Sequence, residues 1–257
     1  MQKEVRMQNK VSYDSFADVY DLLMQDIDYD AWTAYLQTFL QKAPRTVRKV
    51  TDAGCGTGSL SIRLADKGYS VTAMDLSEEM LAVAAERARE AGQQIAFARQ
   101  DISQLILGRC DALICGCDVI NYLSPVQVQE FIRRAYEGLA RGGVLLFDIS
   151  SAYKLQQILG NQIYYEDREE LSYFWRNTLH SDRVEMELTF FLKRGELYER
   201  RDERQTQYIH AWEQLLDQLR AAGFEAEAYA FGSEAAPEAH SDRILFAAYK
   251  PKERNRA

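Results

Sequence analysis

Residues 50–58 read V-T-D-A-G-C-G-T-G, and the reading of this stretch decides the fold. A short strand, RKVTDA, runs into a turn carrying Gly54, Gly56 and Gly58, and SLSIRLADKG follows as a helix closed by Gly68. Glycine lets the backbone turn sharply and lets a ligand approach it closely. Strand, glycine turn and helix together open a βαβ unit. The units continue downstream. YSVTAMD is a strand. SEEMLAVAAERAREAG is a helix, with Ser77 as its cap, Met80, Leu81 and Ala84 facing inward, and Gly92 at its end. QIAFARQD and CDALICGCD are strands, PVQVQEFIRRAYEGLARGG is a helix, and VLLFDIS is a further strand. Strands alternating with helices predict a parallel sheet covered on both faces, with right-handed crossovers.

Upstream, YDSFADVYDLLMQ sets Phe16, Val19, Tyr20 and Leu23 at helical spacing. DYDAWTAYLQTFLQKA does the same with Trp32, Tyr35, Leu36, Phe39 and Leu40, and Pro44 lies beyond its stop. After Ser151 the texture changes. SYFWRNTL, RVEMELTFFL and ELYERRDERQTQYI read as strands, separated by HSDR and KRGE at hairpin spacing. Val184, Met186, Leu188, Phe190 and Leu192 alternate with mostly polar neighbours, so one face is buried and one is wet. The chain then returns to AWEQLLDQLRAAGF, a helix, and to two strands, EAEAYAFG and RILFAAYK. The expected organisation is one domain from residues 1–161 and 209–257, with an N-terminal helical cap. An antiparallel β meander, residues 162–208, is inserted into it.

The 257 residues are 47% hydrophobic and 27% charged, ordinary for a globular chain, and the net charge is −8. That acidity argues against a broad nucleic-acid face, which rests on Lys and Arg at phosphates. The basic tail KPKERNRA reads as a solvated terminus. MQKEVRMQNK has no apolar core of a signal peptide, and no run approaches the roughly 18 apolar residues of a membrane helix. The four cysteines lie in or beside apolar segments, which points to reduced thiols and a cytoplasmic setting.

In an open α/β sheet, ligands bind outside the carboxyl ends of the strands. Asp75 ends the second strand and can accept hydrogen bonds from a ribose diol. Asp101 ends the third and could accept from a purine amine. The dinucleotide fingerprint G-x-G-x-x-G does not fit, because the spacing here is G-x-G-x-G with Ser59 in the last place. A phosphate-binding G-x-x-x-x-G-K-[ST] loop is absent from the sequence. V-T-D-A-G-C-G-T-G instead resembles the first motif of class I S-adenosylmethionine-dependent methyltransferases. V-T-A-M-D-L-S and R-Q-D-I resemble their second and third motifs. The resemblance continues through C-D-V-I-N-Y-L and G-G-V-L-L-F-D, and YDSFADVYDLLM followed by DYDAW is similar to the opening of a bacterial "methyltransferase domain 25" subgroup.

That resemblance implies a Rossmann-like α/β fold with a seven-stranded sheet in the order 3-2-1-4-5-7-6, the last strand antiparallel. It implies S-adenosyl-L-methionine as cofactor. The backbone of Gly54, Cys55 and Gly56 would run under its methionine part, and Asp75 would hold its ribose. Leu76 and Met80 would flank the adenine, and Asp101 and Ile102 would border it. The carbonyl near Cys117 would face the ammonium, and Tyr13 and Tyr20 would fold over the top. Both tyrosines equally fit plain helix packing.

The acceptor pocket is expected over the fourth and fifth strand ends, with Asn121, Tyr122 and Trp32. The meander would cover it as a lid or else form a homodimer surface. DVINY lacks the prolines of exocyclic-amine methyltransferases, so a small-molecule acceptor fits better than a nucleic-acid base; no membrane partner is expected. No general base announces itself, although His210 is the best placed of three histidines. Cys115 and Cys117 lack the further ligands of a metal site. Cys117 has no preceding proline and no evident cationic neighbour to activate it. The competing readings are a non-catalytic cofactor-binding module, an RNA or protein methyltransferase, and a nicotinamide oxidoreductase disfavoured by the glycine spacing.

Overall fold

The computed structural model describes residues 20, 24 and 26–252. Helix α1 (Tyr29–Lys42) is capped by the Asp28 carboxylate, which accepts from the Ala31 N–H at 2.9 Å. Seven strands make the main sheet: β1 (Lys49–Ala53), β2 (Ser70–Asp75), β3 (Ala96–Arg99), β4 (Cys110–Cys115), β5 (Leu139–Ser150), β10 (Glu225–Ala230) and β11 (Arg243–Tyr249). Their order is β10-β11-β5-β4-β1-β2-β3. β11 runs antiparallel to both of its neighbours, and the pairs from β3 through β5 are parallel. This is the 3-2-1-4-5-7-6 order expected of a Rossmann-like methyltransferase sheet.

The central strands are apolar on both faces because helices cover both. Along β4, Ala112 and Ile114 join α1 and α2 (Ser59–Asp66) in a core with Leu36, Phe39, Leu64 and Leu245. Leu113 and Cys115 face α4 (Pro125–Gly138) and α5 (Trp212–Ala221) in a second core with Phe131, Phe147 and Phe246. Helix α3 (Glu78–Glu90) begins at Ser77, whose hydroxyl accepts from the Met80 N–H at 3.2 Å.

β6 (Ile163–Asp167), β7 (Leu171–Leu179), β8 (Arg183–Arg194) and β9 (Leu197–Tyr208) form a separate antiparallel sheet in chain order. Val184, Met186, Leu188, Phe190 and Leu192 of β8 are buried against Met80, Val83, Leu155 and Leu159. Five such side chains contribute on the order of 10 kcal/mol of burial, so this sheet is tied to the main domain by a core of its own. Two features at the entry to this sheet have no periodic signal in the sequence. β6 is a short edge strand with Ile163 and Tyr165 exposed, and Lys154–Leu159 winds as one π-helical turn. β5 also starts earlier than VLLFDIS, because Leu139 already pairs with Cys110 before the register shifts at Ala112 and Val144.

Candidate active site

The turn after β1 is built by left-handed backbone. Gly54, Gly56 and Gly58 have φ of 78°, 53° and 81°. The N–H groups of Gly54 and Cys55 both donate to the Met74 carbonyl, at 2.7 and 2.9 Å, and so pin the loop to β2. A Cβ on Gly54 would stand 2.6 Å from Val119, so this loop and the one after β4 interlock where a side chain would not fit. Arg87 of α3 donates to the Thr57 hydroxyl at 2.9 Å and holds the far side of the turn.

The acidic groups at the strand ends are oriented by backbone donors. Asp75 accepts from the Gly56 N–H at 2.8 Å and from the Ser77 N–H at 3.0 Å. Asp101 accepts from the Ser103 N–H at 2.8 Å. Under the loop, Asp52 is buried and accepts from the Ser61 hydroxyl at 2.5 Å. Burial dominates its electrostatics and lifts its pKa to about 6, against the hydrogen bond from Ser61, with Asp75 adding a further upward push.

One cavity of about 460 Å3 joins the glycine turn to Asp75 and Asp101. Gly54, Gly56, Asp75, Leu76, Met80, Asp101, Ile102 and Cys117 line it, as does Tyr20, whose ring edge lies 3.8 Å from where a Cβ on Gly56 would stand. Cys55 belongs to the same turn but is not among the lining residues. Tyr13 lies outside the described residues. The opposite wall has Val119, Tyr122, Leu123 and Gln127, together with Arg204, Gln205, Thr206 and Tyr208 of β9. Those β9 positions carry no motif and become legible only once the meander folds back over the strand ends. Tyr122 donates to Gln205 Oε1 at 3.1 Å.

Two residues expected in the acceptor pocket lie elsewhere. Asn121 is fully buried and is not in the cavity lining. Its amide donates to the carbonyls of Ser150 (3.1 Å) and Tyr208 (3.0 Å) and accepts from the Ser150 N–H (2.9 Å). It fastens the end of β9 to β5. Trp32 is 7% exposed and packs at 4.5 Å between ring centroids against Phe231, with the Arg243 guanidinium 5.1 Å from its ring. His210 is likewise buried, with Nε2 3.1 Å from the Leu123 carbonyl, and burial lowers its pKa. The described residues place none of the three histidines in the cavity wall.

After β4, Cys117 and Asp118 both adopt positive φ, 61° and 52°. Two successive non-glycine residues in this region cost about 1–3 kcal/mol each and need surrounding contacts to hold them. Asp148 supplies one by accepting the Asp118 N–H at 3.0 Å. Arg243 supplies others, 2.9 Å from Asp118 and hydrogen-bonded to Asp148. Gln207 of β9 donates to Asp118 at 2.7 Å. Despite burial, the cations Arg243 and Lys154 with the Gln207 bond keep the Asp118 carboxyl below the usual range, whereas burial prevails at Asp148 and raises it. Burial also raises the thiols of Cys55, Cys110, Cys115 and Cys117, and all four cysteines are free. Among the described residues no cluster of three or more His, Cys, Asp or Glu could hold a metal, and no helix is long and apolar enough to cross a membrane.

The wall fits a nucleoside. Leu76 is 41% exposed, an apolar surface held open beside two oriented carboxylates, which suits a flat base and its ribose. The comparisons with known proteins agree. The profile of a family described as "Methyltransferase domain" matches residues 50–143. A Geobacillus sp. (strain WCH70) protein that carries a provisional methyltransferase name is 39% identical over 249 residues, covering 93% of this chain and all of that one. The crystal structure of an S-adenosylmethionine-dependent methyltransferase from Clostridium acetobutylicum ATCC 824 superposes with a TM-score of 0.85 at 32% identity, over 93% of this chain and 99% of that one. The sugar N-methyltransferase KedS8 from Streptoalloteichus sp. ATCC 53650 gives 0.78 at 19% identity, over 98% of each chain, which shows the fold alone. Sheet order, glycine turn, oriented strand-end carboxylates and near full-length relatives converge, and the chain belongs to the S-adenosylmethionine-dependent methyltransferases.

Proposed function

We propose that the protein methylates a small-molecule acceptor held between the cofactor and strand β9. The observation that carries this reading is the continuity of the cavity: Gly56, Asp75 and Asp101 share it with Tyr122, Gln205 and Tyr208. S-adenosylmethionine, when bound, supplies a methyl group activated on a cationic sulfur. Asp75 holds the ribose hydroxyls and Asp101 the adenine amine, while Leu76, Met80 and Ile102 flank the base. The backbone of Gly54, Cys55 and Gly56 passes under the methionine part, and the Cys117 carbonyl accepts from its ammonium. Tyr20 offers a ring face to the positive charge. The cofactor would supply the methyl group together with its own leaving sulfur, so the cleft would have only to align an acceptor lone pair with it. The walls orient the acceptor and exclude water, effects that together supply roughly 7–11 kcal/mol.

The β6–β9 sheet serves as the lid of this cleft, since its β9 edge forms one wall. Its outer face, with Ile163, Tyr165 and Phe174 exposed, is the surface a second copy would use, which sedimentation reads directly. The acidic net charge supports a small molecule over nucleic acid, and the free thiols suit a reducing, cytoplasmic compartment.

Labelled S-adenosylmethionine incubated with a bacterial metabolite extract tests the reading. Transfer into a small-molecule fraction is expected. In parallel, Asp75→Ala should weaken S-adenosylhomocysteine binding by about 10- to 100-fold, the equivalent of one charged hydrogen bond. Binding without any transfer would identify a non-catalytic cofactor module instead, and label in RNA or protein would move the acceptor class.

A further inference from the structure

Gln205 stands apart from the other polar groups of the cavity wall. It is 8% exposed and lines the cavity, on the strand that closes the acceptor end. Tyr122 donates to its Oε1 at 3.1 Å and so fixes the amide plane. Its Nε2 has no hydrogen-bond partner. A buried amide with one end anchored and the other unpaired carries a desolvation cost with no return inside the protein. Such groups are retained where a ligand completes them. Its neighbours along β9 extend the same chemistry. Thr206, Tyr208 and Arg204, whose guanidinium lies 3.2 Å from Glu187, line the cavity beside it.

We propose that Gln205 is a specificity-determining residue for the acceptor, and that its Nε2 donates to a carbonyl or carboxylate oxygen of the small molecule that receives the methyl group. This inference rests on the acceptor cleft argued above. Tyr122 is then the positioning residue: by holding Oε1 it fixes the amide and leaves the buried Nε2 as the end a ligand completes. A site built to hydrogen-bond a substrate group discriminates strongly against analogues that lack it, because its own buried polar atom is left unpaired.

The test uses the full chain, labelled S-adenosylmethionine and a bacterial metabolite extract. Gln205→Met keeps the side-chain volume and removes the amide, and Gln205→Leu is the second variant should Met disturb the lid. The expected result is a fall in transfer of at least ten-fold, with S-adenosylhomocysteine affinity within two-fold of the parent and a melting temperature unchanged or higher. Tyr122→Phe should give a smaller fall, since the amide remains but is no longer held. Anion exchange of the labelled product separates the two oxygen sources: retained for an acceptor with a free carboxylate, unretained for a neutral carbonyl or for a carboxylate that is itself esterified. Transfer within two-fold of the parent in both Gln205 variants overturns the proposal. So does a product with no carbonyl or carboxylate oxygen. A fall in melting temperature in both variants with the same loss of cofactor affinity assigns Gln205 a structural role and also overturns it. A parent enzyme that binds S-adenosylhomocysteine yet labels nothing overturns the acceptor-cleft reading itself, which the cofactor titration separates from a failure at Gln205.

Discussion

At Gly54 two constraints meet at one atom. The backbone sits at φ 78°, and the space a side chain would enter belongs to Val119. Gly54→Ala should reduce S-adenosylhomocysteine affinity by at least ten-fold, and Gly54→Ala with Val119→Ala should recover part of the loss. Calorimetry on the four proteins of that cycle measures the coupling, and strict additivity would show that the backbone angle alone is responsible. Asp52 gives a different kind of test. Its carboxyl is raised to about 6 in the folded protein, above its unfolded value. A raised acid favours the folded state most when it is protonated, below the unfolded value near 4. That advantage is lost as pH climbs through about 6, and folding forgoes roughly 3 kcal/mol above it. Asp52→Asn should therefore gain stability relative to the parent at pH 8 but little at pH 4. Urea melts at both pH values give the comparison, and an equal difference at the two would refute it. The glycines and strand-end acids were legible in the sequence because each acts within a few residues of its own strand. Gln205 and Arg243 were not, because their meaning depends on Tyr122 and Asp118, which are remote in the chain.

Among the elements, β8 declared itself through a period of two, since its side chains alternate between a buried and a wetter face, and the hairpin spacing of HSDR and KRGE marked β7 and β9 on either side of it. β6 did not, because an edge strand of five residues with both faces partly solvated has no such contrast. Asn121 shows the same limit within a motif. DVINY reads as a loop at a cleft, yet one of its two amide or phenol side chains turns inward to hold Ser150 and Tyr208 while the other meets Gln205. Asp118, Asn121 and Tyr122 thus bond β9 at three points. Deleting residues 162–208 should abolish methyl transfer and leave cofactor binding measurable by calorimetry. Unchanged turnover would refute the lid. Weaker binding in step with lost transfer would show that the fastening also shapes the turn at Cys117 and Asp118.

Across the whole molecule, Arg243 of β11 couples parts that are far apart in sequence. It pairs with Asp118 after β4 and Asp148 in β5, and it covers the ring of Trp32 in α1. Removing one partner from a buried charge group costs about 3–5 kcal/mol, because the carboxylates left behind are uncompensated. Arg243→Leu should lose stability of that order at pH 8 and less at pH 5, where a carboxyl already raised by burial takes up a proton more readily. Equal losses at both pH values would assign the role of Arg243 to packing on Trp32. The sheet order carries one more consequence. β11 is the last of the eleven strands described, yet it lies between β5 and β10 and not at an edge. On the ribosome, the glycine turn, the strand-end acids and the entire lid emerge before the cation that neutralises Asp118 and Asp148. The chain therefore holds an open sheet edge at β5 until residues 243–249 have left the ribosome, and a chain that stops short of them lacks the strand on which β10 docks.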